Sequence, residues 1–240
     1  MRDMSFIKAN LENIKERINQ AAKACGRSPG DIQLLAVSKT FPAEDVRTCF
    51  QSGQRAFGEN YVQEGVAKIT SLQDLRAEIK WHFIGPLQSN KSRDVAENFD
   101  WVHSIDRLKI AQRLNDQRPS NLPRLNVCIQ VNISGESSKS GVQANDLIEL
   151  CKHISGLPNL LLRGLMSIPE PTDDVVQQKQ AHHELRQLLE ILKSSEELDQ
   201  SKMQLDTLSM GMSSDIEAAI AEGSTMVRVG TAIFGKRTYL

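Results

Sequence analysis

From Ile32 onward this chain repeats one pattern: a short apolar run, a polar turn, an amphipathic segment, then the next apolar run. The runs are Ile32–Lys39, Ala56–Asn60, Lys80–Gly85, Trp101–Ile105, Leu125–Asn132, Leu160–Ile168, Leu205–Met210 and Met226–Phe234. Runs this apolar suit strands covered on both faces. The stretches between them are too long for hairpins, so each strand is expected to reach the next by a parallel crossover. An open doubly wound sheet usually has fewer strands and a topological switch point. Eight strand–helix repeats point instead to a closed (β/α)8 TIM-type barrel, an α/β fold. Ahead of the first run, Ile7, Leu11, Ile14 and Ile18 share one helical face, with Ser5 as a candidate cap and Gly26 as a left-handed stop. That predicts one extra N-terminal helix.

Composition narrows the class. With 40% hydrophobic residues, 240 residues can build one sizeable core. No Pro-, Gly- or Ser-rich linker is long enough to mark a second domain, so residues 1–240 read as a single domain. A formal net charge of −1, with both signs interspersed, gives no cause to expect nucleic-acid or membrane-surface binding. The first helical segment carries acids and bases and lacks a signal peptide's apolar centre. No run nears the roughly 20 apolar residues of a membrane span. Cys25, Cys49, Cys128 and Cys151 form no CxxC pair and read as reduced, half-buried thiols of a cytoplasmic protein. No metal site is expected: the adjacent His182 and His183 diverge on a helix.

In such a barrel, chemistry collects at the C-terminal strand ends and the loops after them. There the sequence places Lys39, then Gly58-Glu59-Asn60, then Asn132 and a loop with Lys139, then Met166-Ser167, then Gly211-Met212-Ser213-Ser214. Strand three carries His82, and strand eight carries Arg228, Gly230 and Thr231. Lys39 follows a run of apolar residues, where desolvation favours the neutral amine that attacks an aldehyde, although a strand-end lysine can equally snorkel to water. Ser213 or Ser214 can cap the helix that follows, and the loops after strands seven and eight form the usual phosphate site of this fold. Arg228 inside an apolar strand needs a partner: a barrel carboxylate or a ligand. His82 shares parity with Ile84, so both face the same side of the sheet, where His82 is a core histidine or a contact for a planar ligand.

The segments AVSKT (36–40), GENYVQE (58–64), WHFIGPLQSNK (81–91), NISGESSKSG (132–141), GLMSIP (164–169) and LSMGMSSDIEAAIAEGSTMVRVGTAIFG (208–235) resemble the pyridoxal phosphate homeostasis proteins, the YggS/PROSC group. The resemblance covers essentially the whole chain in order. It implies a barrel like the N-terminal domain of alanine racemase, with pyridoxal 5′-phosphate (PLP) as cofactor. Carried over by motif, Lys39 holds PLP as a Schiff base, Ser213 with Gly230 and Thr231 hold the phosphate, and Arg228 lies by the pyridine nitrogen. Asn60 and His82 line the ring's other side. An arginine at that nitrogen disfavours its protonation and weakens the ring as an electron sink. The implied role is intracellular PLP (vitamin B6) homeostasis and amino-acid balance, without racemase activity. The partners implied are PLP and apo PLP-dependent enzymes, with the chain a monomer.

Length is expected to matter too. Strand eight ends close to Leu240, leaving no second domain to cover the mouth or supply the second acid/base group that racemisation needs. The alternatives are a PLP-dependent racemase or lyase and a cofactor-free Schiff-base aldolase. Lys139, in the loop Ser134–Gly141 with glycines as hinges, is either a solvated loop lysine or a transient second amine for cofactor exchange.

Overall fold

Eight parallel strands close on themselves in chain order in the computed structural model, which describes residues 4–134 and 140–236. They are β1 (Gln33–Val37), β2 (Ala56–Glu59), β3 (Lys80–Phe83), β4 (Trp101–Ile105), β5 (Leu125–Gln130), β6 (Leu160–Met166), β7 (Thr207–Ser209) and β8 (Met226–Val229). Closure is made where β1 pairs with β8, Gln33 opposite Met226 through Ala36 opposite Val229. The intervening helices are α2 (Ala43–Gln51), α3 (Val62–Ser71), α4 (Ser92–Asn98), α5 (Leu108–Gln117), α6 (Leu147–Ser155), α7 (Val175–Ser194) and α8 (Ile216–Ala221). The extra helix α1 spans Met4–Ala24, and a last short turn, α9, spans Thr231–Phe234. The expected (β/α)8 barrel is the architecture found.

The main core lies between the strands and the helical ring, as alternation along each strand requires. Ile7, Leu11, Ile14 and Ile18 are all buried there, each contributing about 1.5–3 kcal/mol of burial free energy. They seat α1 against α2, α8 and α9. The inner face of the barrel is different. Leu35, Val37, Ala56, Ile84 and Met226 form one small apolar cluster, and Trp101, Cys128 and Met166 form another. Buried polar side chains fill the rest, including His82, His103, Ser209 and Arg228.

Several boundaries differ from the sequence pattern. The eighth run does not continue as a strand to Phe234. Gly230 leaves the extended region (φ −114°, ψ −80°), and Thr231–Phe234 coils into α9, where Phe234 stacks on Phe41 at 5.1 Å. Four residues, three of them apolar, are too few for periodicity to separate strand from helix. Ser5 lies within α1, which is described from Met4 onward. At the start of α5, Arg107 occupies the cap position, and its guanidinium donates to Asp106 at 2.6 Å. The thiols are not uniformly half-buried. Cys49, Cys128 and Cys151 are fully enclosed, with burial pushing each up to about 12, and Cys25 is exposed. Among the described residues no helix is long and apolar enough to cross a membrane, and no group of three or more His, Cys, Asp or Glu gathers as metal ligands.

Gly85, just past β3, is where two chain segments approach too closely for any side chain. A Cβ there would sit 2.1 Å from the backbone oxygen of Asn60. Gly85→Ala is therefore expected to cost about 1–3 kcal/mol, seen as a lower Tm. Gly30→Ala, whose nearest neighbour is the Ser28 hydroxyl at 3.5 Å, should leave Tm nearly unchanged. Equal melting of the two variants would contradict the close approach.

Candidate functional site

Lys39 does not end β1 but stands in the turn after it. Phe41 N–H donates to Ser38 O at 3.1 Å, closing a four-residue turn with the half-buried Lys39 in its second position. Thr40, in the third, has φ +67°, the one positive φ outside glycine among the described residues. A β-branched residue there is strained by about 1–3 kcal/mol and persists only when its surroundings hold it. They do. Glu64 accepts the Thr40 N–H at 2.5 Å, and Glu59 accepts the Ser38 hydroxyl at 2.6 Å. Lys68 Nζ donates to Ser38 O (2.6 Å), Glu59 (2.8 Å) and Glu64 (2.6 Å). Burial pushes the Glu59 carboxyl up to about 7, against the opposing pull of Lys68 and Ser38.

On the neighbouring strand β8, Arg228 points inward, opposite Leu35 of β1. Its guanidinium donates to Ser209 O (2.5 Å), Ser209 Oγ (2.9 Å) and Ser167 O (2.8 Å), all neutral oxygens. Of the two partners expected for it, no barrel carboxylate among the described residues hydrogen-bonds to the Arg228 guanidinium. Burial lowers its pKa to about 10, countered in part by Asp215, so it stays a cation at neutral pH. A polar chain continues from it: Ser209 Oγ lies 2.8 Å from His103 Nδ1, and His103 Nε2 lies 2.9 Å from His82 Nδ1. Burial pushes His82 down to about 3 and His103 well below its ordinary value, so both are neutral. The chain is satisfied throughout when Arg228 donates to Ser209, Ser209 to His103 and His103 to His82. His82 Nε2 then carries a hydrogen with no acceptor among the described residues. The His82 ring also stacks on Trp101 at 5.2 Å, which places it inside the barrel below the mouth.

The turn after β7 is fixed by Asp215 rather than by either serine. Asp215 is the cap residue of α8, and its Oδ1 accepts the Met212 N–H at 2.6 Å. Ser213 is half-buried and Ser214 exposed. Arg228 N–H donates to Gly211 O (2.9 Å), so this turn runs beside the end of β8. There Gly230 lies against β1: a Cβ on it would stand 3.1 Å from Val37 O, two residues before Lys39. Lys39, Gly230, Thr231 and the Ser213 turn thus share one end of the barrel. Among the described residues, the backbone N–H groups of Ser213, Ser214, Gly230 and Thr231 have no acceptor. Two buried side-chain oxygens at the same end, Asn60 Oδ1 and Ser167 Oγ, also lack partners. Such orphaned groups, gathered at one end of the barrel, could take hydrogen bonds with a polar ligand.

Every residue singled out from the sequence except Lys139, which with Gly135 lies outside the described residues, is therefore placed. His82 lies deeper than the others. Sequence reading missed Lys68, His103, Ser209 and Asp215 and the role of His182, each of which bonds to a residue on another segment of the fold. Strand parity alone had a signal for His103, which shares its face of β4 with Trp101. His182 and His183 do diverge, to Asp215 and Glu222 respectively.

Residues 9–238 match the family described as alanine racemase, N-terminal domain. Proteins named pyridoxal phosphate homeostasis protein from Pseudomonas aeruginosa and Escherichia coli K12 are each 56% identical, over 98% of this chain and 98–99% of theirs. Among solved structures, PipY of Synechococcus elongatus PCC7942 with PLP bound is 37% identical, with a TM-score of 0.78, over 91% of this chain and 100% of that one. Alanine racemase from Corynebacterium glutamicum shares the fold (TM-score 0.70, 98% of this chain and 62% of that one) at 15% identity.

Above pH 4.5 an exposed glutamate is ionised, whereas buried Glu59 keeps its proton to about pH 7. The folded state thus binds more protons than the unfolded one across that window, and stability from this group falls as pH rises through it. Glu59→Gln should flatten the decline in Tm between about pH 4.5 and 7; a slope identical to the parent's would refute the shift.

Proposed function

Because the chain belongs to the alanine racemase N-terminal-domain family and, within it, to the pyridoxal phosphate homeostasis proteins, we propose that it binds PLP through Lys39 and serves PLP homeostasis rather than racemisation. The observation that carries this reading is the strained turn at Ser38–Phe41. Three ionisable side chains are committed to holding one lysine at the mouth beside Gly230. The cofactor supplies an aldehyde that condenses reversibly with amines, and Lys39 supplies the amine.

The other residues fit the cofactor's remaining parts. The unpaired amides of Ser213, Ser214, Gly230 and Thr231 suit a phosphate, which takes several N–H donors at once. Arg228 is held by neutral oxygens alone, and a buried cation of that kind suits an electron-rich ring nitrogen, which it keeps unprotonated. Asn60 Oδ1 and Ser167 Oγ offer polar contacts at the rim, and His82 braces the site from below. The role in homeostasis rests on the relatives' names at 56% identity over almost their full length. Alanine racemases share the fold at far lower identity.

Purified protein should absorb in the visible after incubation with PLP. Borohydride reduction and peptide mapping should then place the adduct on the Lys39 peptide, and an adduct solely on another lysine would sink the assignment. Incubated with L-alanine in deuterated water, the PLP-loaded protein should show no turnover to the D enantiomer above the free-cofactor rate. Enzyme-like racemisation, at 1 s⁻¹ or more on the usual scale of about 1–10³ s⁻¹, would return the chain to the enzyme reading.

A further inference from the structure

We propose that His182, on α7, is a positioning residue for the cofactor's phosphate: it locks Asp215 and thereby fixes the turn whose free amides hold that group. The inference rests on the reading that the phosphate sits on the Ser213 turn with Gly230 and Thr231. It adds a residue outside the mouth, from a helix that contributes none of the groups assigned above.

The contact is buried and specific. His182 has no exposed surface, and its Nε2–H donates to Asp215 Oδ2 at 2.9 Å. The other oxygen, Oδ1, accepts the Met212 N–H, while the Asp215 N–H returns to Met212 O at 3.1 Å. Asp215 O accepts from Ala219 at 2.9 Å and starts α8. One carboxylate therefore closes the turn, begins the helix and binds the imidazole. Without His182, either oxygen could serve Met212 and the carboxylate could rotate. With His182, each oxygen has one partner and the rotation is fixed.

Packing alone does not explain a histidine here. Its Nδ1 is buried with no partner among the described residues, which costs about 1–3 kcal/mol relative to a satisfied group. An apolar side chain would avoid that cost. On its outer side the turn has a weaker hold. Arg17 donates to Ser213 O at 2.7 Å but is about a third exposed, and its pairing with Glu217 is of the surface kind worth about 0–1 kcal/mol. A groove of about 550 Å³, lined in part by Ala181, Met212, Ser214 and Asp215, opens beside the turn and leaves it room to shift.

The test is a comparison of two ligands, PLP and pyridoxal, which has the aldehyde and ring without the phosphate. The parent should bind PLP more tightly than pyridoxal. His182→Phe should weaken PLP binding about tenfold, equivalent to about 1.4 kcal/mol, with pyridoxal binding within about twofold of the parent. His182→Gln, whose amide nitrogen reaches toward Asp215, should recover most of the loss. A parent-like PLP-to-pyridoxal ratio in His182→Phe, or equal losses for both ligands, would overturn the positioning role. A parent that binds both ligands equally would instead remove the phosphate site itself. Should His182→Phe not fold, His182→Asn, polar but too short to reach Asp215, should show the same selective loss, and an unchanged ratio in it overturns the proposal.

Discussion

The Lys68 ammonium, buried between Glu59 and Glu64, is the contact on which the site depends. A backbone with positive φ at a threonine does not hold itself, and a strand that simply ended at Val37 would let Lys39 swing with solvent. Lys68 takes the carbonyl of Ser38, and its two carboxylate partners take the Ser38 hydroxyl and the Thr40 amide. The turn is thus gripped at its first and third positions, and Lys39 is the residue left between. Removing one member of a buried pair costs about 3–5 kcal/mol because the other charge is stranded. The network is therefore stable as a unit and intolerant of partial loss. It also ties β1, β2 and α3 together, so the lysine's position is inherited from the barrel rather than from a loop.

The barrel interior follows a second rule. A closed sheet must fill its inside, and here much of the filling is polar but internally paired. The line from Arg228 through Ser209 and His103 to His82 polarises in one direction when each group donates to the next. Both imidazoles stay neutral, so the guanidinium is the one charge of that line. It is held in place by oxygens that do not neutralise it. Such a cation is costly by itself, which suits a side chain whose counterpart is a ligand rather than a neighbour.

What the sequence made legible was what local patterns decide. Apolar runs separated by helical segments gave the barrel and the strand order, and the strand ends gave Lys39, Asn60 and the turn after β7. Ser213 and Ser214 have the chemistry of caps, but α8 begins after Asp215, whose carboxylate is held by Met212 and by His182 from α7. The extension of the eighth run to Phe234 failed because a short apolar stretch fits either element until Gly230 turns it. The roles of Lys68, His103 and His182 were not legible because each has a decisive partner on another element: Lys68 meets Glu59 and Ser38 O, His103 meets His82 and Ser209, and His182 meets Asp215, 33 residues away in sequence.

These contacts bear on how such a protein can both keep and give up a reactive aldehyde. A covalent bond between amine and aldehyde is reversible, so it does not by itself decide how long the ligand stays. On the proposed reading, what decides is how well the non-covalent contacts keep the ligand beside Lys39 each time the bond opens. Those contacts lie on turns braced from behind: Ser38–Phe41 by α3, and Gly211–Asp215 by α7 from within and α1 from outside. The two turns are linked through β8, whose Arg228 N–H bonds Gly211 O and whose end, Gly230, packs on Val37. A shift in either brace would move one half of the site relative to the other. On that proposal, retention would depend on helices around the barrel, without any change in the groups proposed to touch the ligand.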